Sequence, residues 1–460
     1  MATPMQRAPD ADLDPVPIPK ERYTSPEFAR LEWERMWTRT WLCAGRESDC
    51  PRAGDYFSFE IGPESILVIR QPDGSLAARY NVCMHRGNRL REPGRGHAER
   101  FSCLFHGWEY GLDGRLEKVL DPECFSQGLD REALSLQPVR CETWAGFVFV
   151  CLDPSAEPLR SYLGIVPEHL DPYRFEDWKI AYDCTIEIDC NWKTSVDAFN
   201  EAYHLSATHG WTLEFSDDVN TRYDCYERHS RMVFPEVQAS PRHPGAGTVT
   251  PGIKELFLKR VGIDVDAFEG GPAEARAAYA AAIRRIAPTL GADVSALDES
   301  QLCDDYHYTV FPNMTFNAHS LFTWIFIHRP HPSDPNKMYF DFLSLLNAPG
   351  QDLPRPEKEH FRTADGDTLA GRCDGGDLLD EDLYNLPRIQ AGMRSAAFRS
   401  LHLGCQEIRI LHHQKTLESY LERELTAGPP PARDAGPGGV GPERVEPGRA
   451  GPGAKAGIHG

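Results

Sequence analysis

The chain has no apolar run long enough to span a bilayer; the longest, Trp144–Leu152 and Leu321–Ile327, are the size of buried strands. It has no basic excess either. Its 49 Lys and Arg stand against 69 Asp and Glu, a formal charge of −20 that phosphate surfaces would repel. Nucleic acid and anionic membrane are therefore excluded as expected partners, whereas a basic partner protein is not. The 13 cysteines are odd in number and scattered, unlike the dense framework of a small secreted domain. Met1–Lys20 shows no apolar core between a basic start and a small-residue cleavage site, so no signal peptide is expected and the expected setting is cytoplasmic. No Gly-rich dinucleotide fingerprint is present, so the chain is not expected to bind NAD(P)H itself.

What is present is ordinary globular material, 41% hydrophobic and 26% charged over 460 residues. That suffices for two or three domains. Between Ser25 and Trp41, residues Phe28, Leu31, Trp33, Met36 and Trp37 recur at helical spacing, with Ser25 as N-cap and Pro26 at the first helical position. From there to Pro154, strand-like segments such as Tyr56–Ile61, Ser65–Arg70 and Gly146–Leu152 alternate with turn signals at Pro72-Asp73-Gly74 and Leu112-Asp113-Gly114. This reads as a compact all-β module.

A larger α+β domain is expected to follow. It opens with a strand at Ile180–Ile188 and a helix from about Ser195, with an alanine-rich helix near Ala273–Ile286. Strands are expected at His307–Val310, Met314–Asn317, Leu321–His328 and Met338–Leu346, then a long helix from Gln390 to Glu424 broken near Gly404. The expected boundaries are 1–40 for an N-terminal helical segment packed on the catalytic domain, 41–155, 156–425, and a Gly/Pro-rich disordered tail over 426–460.

Chemistry concentrates in two places. Cys83-Met84-His85 is followed, after seventeen residues, by Cys103-Leu104-Phe105-His106. Two thiolates and two imidazoles on two hairpin loops can close a tetrahedral shell, and zinc is one reading. Zinc fingers, however, keep their cysteines together and their histidines together, whereas each loop here supplies one of each. That interleaving suits a [2Fe–2S] rhombus with both cysteines on one iron and both histidines on the other, where neutral imidazoles raise the reduction potential. Together with Arg86, Gly87, Gly107 and Trp108, the segment resembles the Rieske family. The resemblance implies that Cys83, His85, Cys103 and His106 hold the cluster.

The second place is Glu201-x-x-His204-x-x-x-x-His209. Glu201 and His204, three apart, are expected to lie on one helix face, whereas His209 would lie about 140° further round than His204 if the helix continued. Gly210 is a good terminator, so the helix is expected to end or loosen near Thr208 and swing His209 back. Two histidines and one carboxylate form the facial triad that holds iron and leaves positions open for dioxygen and substrate.

The Asn191-Trp192-Lys193 opening and the Tyr203-His204 pair resemble the catalytic (alpha) subunits of Rieske ring-hydroxylating and demethylating oxygenases, over most of Tyr23–Glu424. That family implies an all-β Rieske domain before a larger helix-grip (START-like) catalytic domain with a long antiparallel sheet, an α+β fold. Its carboxylate at the Glu201 position is usually Asp and bridges an iron histidine to a Rieske histidine of the neighbouring subunit. Glu there resembles the carnitine and quaternary-amine monooxygenases. The segment Leu379–Gln390 resembles the family's closing motif and offers Asp382 as third iron ligand, with Asp380 and Glu381 as alternatives; all three acids also suit a helix N-terminus.

The resemblance further implies electrons from NAD(P)H through a ferredoxin or flavoprotein reductase, mononuclear Fe(II), and a head-to-tail homotrimer, with or without a small beta subunit (α₃ or α₃β₃). The implied activity is hydroxylation of an aromatic substrate. The alternatives are monooxygenation of an alkyl or N/O-methyl group with dealkylation, and a non-catalytic electron carrier. The pocket is expected around Asn200, Leu205, Ser206, the 211–260 stretch and strands 307–346, which offer Phe311, Met314, Phe316, Phe322 and Trp324 for an apolar lining, although alternation sends only some of them inward. His328, His331, His412 and His413 are expected to be packing or surface residues rather than ligands.

Overall fold

The computed structural model describes Leu13 and residues 16–423, so the expected 426–460 tail lies outside the described residues. Helix α1, Pro26–Glu32, begins as its sequence dictates: the Ser25 hydroxyl accepts from the Phe28 N–H and Pro26 occupies the first turn. Its last turn continues into a π-helical segment, Trp33–Trp37. This helix and the turn before it are anchored by buried polar contacts. Glu32 meets the Lys193 ammonium at 2.6 Å, both side chains out of solvent, and Tyr23 donates to Asp197 at 2.6 Å.

The β-module contains a seven-stranded sheet in the order Leu42–Arg46, Phe147–Cys151, Pro138–Trp144, Leu76–Tyr80, Glu64–Arg70, Asp55–Ile61, Arg95–His97. A three-stranded sheet, Phe101–Ser102, Glu109–Tyr110 and Leu116–Lys118, stands apart from it. Gly74 and Gly114 take positive φ at the two turns read from sequence, a conformation that costs glycine little.

The second domain is built on an eight-stranded sheet. Its strands are β1 (Lys179–Ile188), β2 (Arg222–Cys225), β3 (Ser230–Phe234), β4 (Asp305–Val310), β5 (Met314–Ala318), β6 (Phe322–Pro330), β7 (Met338–Leu346) and β8 (Glu359–Arg362). They run in the order β2-β3-β4-β5-β6-β7-β1-β8, antiparallel except for β1 and β8. Alternation sorts the two faces. Tyr306, Tyr308 and Phe316 join one apolar cluster with Trp41, Trp144 and Phe147 of the β-module. The opposite face carries Asp305, His307 and Thr309. It receives α2 (Trp192–Ala198), α3 (Leu205–Thr208) and two late helices. The helix Pro272–Ile286 packs into the first face's cluster.

Two expectations are corrected. The long terminal helix is two helices, Gly376–Met393 and Ile408–Leu421, separated by a segment whose Ser400–Leu401 pairs with Ile18–Pro19. And α2 stops at Ala198, so Glu201 and His204 do not share a helix face: residues 199–204 are turn, and α3 begins only at Leu205.

Candidate active site

The motif residues around the second site each have a structural cause. Asn191 caps α2 by accepting from the Lys193 N–H at 3.0 Å. The Trp192 indole meets Trp37 edge-on at 4.8 Å. Gln390 locks the late helix Gly376–Met393 to α2, accepting from Asn191 N–H at 2.9 Å and Thr194 Oγ1 at 3.0 Å while donating to the Tyr23 carbonyl at 3.2 Å. With those two helices tied together, Asp382 is delivered to the turn that carries the histidines.

Ligand atoms of His204, His209 and Asp382 all lie within 4.8 Å of one another. Asp382 Oδ1 is 3.1 Å from His209 Nε2 and 3.8 Å from His204 Nε2. Each histidine gives its other nitrogen to a glutamate: His204 Nδ1 donates to Glu201 Oε1 at 2.6 Å, and His209 Nδ1 donates to Glu381 Oε2 at 2.5 Å. Glu201 also accepts from the His204 backbone N–H at 2.9 Å, which fixes the turn that α2 vacates. Burial pulls the pKa of His204 down, but the Glu201 hydrogen bond and charge and the Asp382 charge outweigh it, so the net shift is upward. For His209, burial is likewise outweighed, by Asp382 and Glu381. With both Nδ1 atoms acting as donors, both Nε2 lone pairs are free to point at one place, which suits a divalent iron with two imidazoles and one carboxylate.

Of the three acids read as alternatives, the structure separates the roles. Asp380 accepts from the Leu369 and Ala370 N–H groups, each at 2.8 Å. Glu381 sits on the far side of His209 and also accepts from Trp211 Nε1 at 3.3 Å. Only Asp382 joins both Nε2 atoms.

In the β-module the loops bearing Cys83, His85, Cys103 and His106 lie side by side. The imidazoles of His85 and His106 are 4.6 Å apart, and the two thiols are hydrogen-bonding neighbours. Tyr110 accepts from the Met84 N–H at 3.0 Å, which leaves its own proton for Cys83 Sγ at 3.4 Å. Burial raises the Cys83 thiol, partly offset by Tyr110 and the His85 N–H. Burial raises Cys103 too, but N–H groups of Phe105 and His106 and the Asn88 amide bring it below the ordinary thiol value. His85 Nδ1 is buried without a hydrogen bond, and Trp108 stacks on that ring at 4.7 Å. Donors aimed at sulfur and an unused imidazole nitrogen fit a [2Fe–2S] cluster with Cys₂His₂ ligation. Tyr110 and Asn88 carried no local signal in the sequence, because each reaches its thiol across the hairpin.

The four histidines expected to pack rather than ligate each have a protein partner. His328 bonds Ser195 and Thr315, His412 the Tyr226 carbonyl and His413 the Pro312 carbonyl, while His331 accepts from loop N–H groups. Alternation sorts the expected pocket lining: Met314 and Phe316 belong to the cluster on the opposite face and Phe311 is fully buried in a second apolar cluster, which leaves Phe322 and Trp324.

Residues 175–423 match the family model described as ring hydroxylating alpha subunit (catalytic domain), and residues 40–130 match the Rieske [2Fe-2S] domain. The chain is 29% identical to the chlorobenzene dioxygenase subunit alpha of Cupriavidus sp. (strain PS12) over 393 residues, 82% of this chain and 80% of that one. It is 29% identical over 192 residues to the glycine betaine monooxygenase oxygenase subunit of Pseudomonas aeruginosa (strain UCBPP-PA14), 42% of this chain and 44% of that one. In fold it is similar to a quaternary ammonium Rieske monooxygenase, with a TM-score of 0.65 and 20% identity over 91% of this chain and 99% of the other.

Proposed function

Because the chain belongs to the ring-hydroxylating alpha-subunit family and carries a Rieske domain ahead of the catalytic domain, we propose that it is the terminal oxygenase component that hydroxylates an aromatic substrate. It is a Rieske-type oxidoreductase, and members of its family work with ferredoxin and reductase partners and form oligomers. The observation that carries the reading is the convergence of His204, His209 and Asp382, with a glutamate on the far nitrogen of each histidine.

We assign the [2Fe–2S] cluster to Cys83, His85, Cys103 and His106, and the mononuclear Fe(II) to His204, His209 and Asp382. When bound, the two groups supply one-electron transfer and dioxygen activation. The chain's own residues prepare for this. Glu201 and Glu381 hold the imidazoles in the tautomer that frees Nε2. Trp108 covers His85 while His106 stays partly open to the surface. Glu201 has the position and chemistry to connect His204 to a Rieske histidine of a neighbouring subunit.

Two exposed apolar patches support a head-to-tail ring, either α₃ or α₃β₃. Leu104 and Phe105, 91% and 58% exposed, flank His106, while Tyr203 and Trp211, 63% and 49% exposed, flank the triad. Such side chains are usually covered when they cluster. Electrons from NAD(P)H arrive through a ferredoxin or a flavoprotein reductase. Among the described residues, no helix is long and apolar enough to cross a membrane.

A second reading is monooxygenation of an alkyl or N/O-methyl group with dealkylation. Glu201 in place of Asp favours it, as does the likeness to the betaine and quaternary ammonium enzymes. The test is metal analysis of anaerobically purified protein, followed by substrate-dependent oxygen uptake with a generic ferredoxin and reductase. About three irons and two sulfides per chain are expected. Zinc without sulfide would overturn the assignment. Diol or phenol products distinguish the first reading from formaldehyde released by the second.

A further inference from the structure

The sheet face beneath the triad is polar where an arene pocket would be apolar. Strand register places Met232, His307, Asn317 and Trp324 on one rung across β3, β4, β5 and β6. The ends of that rung are roofed by the elements that carry the iron residues. Leu205, between His204 and His209, packs with Met232 and Phe234. Gly375, at the start of the helix bearing Asp382, lies so close that a side chain there would strike the Trp324 indole. Over the middle, Phe199 stacks on His307 at 6.4 Å and Asn200 accepts from Thr309 at 2.5 Å. His307, Asn317 and the adjoining Asp305 therefore form the floor under the triad.

That floor holds unused hydrogen-bonding atoms. Asp305, 8% exposed, accepts from Asn317 Nδ2 through Oδ2 at 2.5 Å, while its Oδ1 is buried, makes no hydrogen bond and lies 3.7 Å from His319 Nε2. His307, 2% exposed, accepts from Arg409 Nη2 at Nδ1, so its proton sits on Nε2, which is buried and likewise unpartnered. Buried polar atoms are nearly always paired, and unpaired ones concentrate where a ligand completes them. Phe234 and Trp324 supply apolar contact beside these atoms.

The geometry points to Asp305 as a specificity-determining residue: its Oδ1, which makes no hydrogen bond within the fold, accepts one from a hydroxyl or N–H on the substrate, so the substrate is a polar-substituted molecule and not a bare hydrocarbon. The His307 Nε2–H donates to the same substituent's lone pair. This rests on the reading of His204, His209 and Asp382 as the iron site, and it narrows the substrate class of that site. A site built around such an oxygen rejects an isostere that lacks the donor, because binding it leaves the carboxylate buried and unpaired.

The test uses iron-loaded, cluster-containing protein and two isosteric pairs, benzyl alcohol with ethylbenzene and 2-naphthol with 2-methylnaphthalene. Binding is read by calorimetry, with iron and sulfide assayed on the same samples. At least one alcohol is expected to bind the wild type at least about tenfold more tightly than its methyl partner. Asp305→Leu is expected to erase or reverse that preference and Asp305→Asn to keep part of it, each with unchanged iron content. Equal or tighter binding of both hydrocarbons, no binding of either alcohol, or an unaltered preference in Asp305→Leu would overturn the inference. Protein that lacks iron and sulfide altogether would instead overturn the functional reading, so the two failures are distinguishable.

Discussion

His204 donates from Nδ1 to Glu201 Oε1 at 2.6 Å, although the helix expected to align these residues ends before either of them. The contact is made by a turn in which Glu201 also holds the His204 backbone N–H. A residue that both shapes the turn and fixes the imidazole tautomer can be altered in charge with little change of shape.

Glu201→Gln is therefore expected to keep the cluster and the mononuclear iron while turnover falls by about a hundredfold. Iron content, the visible cluster spectrum and oxygen uptake on one preparation check this. Wild-type uptake would sink the role of Glu201 in electron transfer.

Glu381 does for His209 what Glu201 does for His204, at 2.5 Å from Nδ1. Replacing it with Ala removes the acceptor and is expected to weaken ferrous binding by about ten- to a hundredfold, whereas Gln retains an acceptor oxygen and part of the affinity. Ferrous titration of apo protein measures both. Equal affinities in all three proteins would mean that His209 is oriented by its backbone alone.

The neighbouring acids should separate cleanly. His204→Ala and Asp382→Ala are expected to keep the cluster spectrum and lose the mononuclear iron. Asp380→Asn is expected to keep that iron and lower thermal stability by about 1 kcal/mol, since it loosens a carboxylate bonded to two backbone N–H groups. Loss of iron in Asp380→Asn would point to the wrong carboxylate as ligand.

Asp197 provides a pH signature. Burial pushes its carboxyl up to about 7, against the opposing effects of the Tyr23 hydrogen bond and the Lys193 charge. The folded chain thus holds this proton more tightly than the unfolded chain, whose carboxyl titrates near its ordinary value of 3.8. The stability it contributes is full below that value and is lost as pH rises through 7. Asp197→Asn should flatten this segment of the profile and be more stable than wild type at pH 8, by no more than about 4 kcal/mol. Unfolding curves from pH 5 to 8 check the sign.

Local pattern determined a good deal. Cys83-x-His85 with Cys103-x-x-His106 and Glu201-x-x-His204 with His209 are legible because ligands on one turn or hairpin are close in sequence as well as in space. The strands β4 to β7 were legible for a similar reason, since their hydrophobic alternation is local. The Asn191-Trp192-Lys193 motif was legible as a resemblance, but its work was not: capping α2, meeting Trp37 edge-on and pairing with Glu32 involve partners up to 161 residues away.

Tertiary structure alone decided the rest. Asp380, Glu381 and Asp382 are chemically near-equivalent neighbours, and successive helical residues point about 100° apart. Which one meets the histidines depends on how the helix Gly376–Met393 is docked, through Gln390, on α2. The end of α2 before Glu201 and the polar floor of Asp305, His307 and Asn317 were likewise invisible, because a residue's face depends on strand register, and register is set by pairing across the sheet. Sequence named the atoms that can bind metal; docking of distant elements decided which of them meet and what lies beneath them.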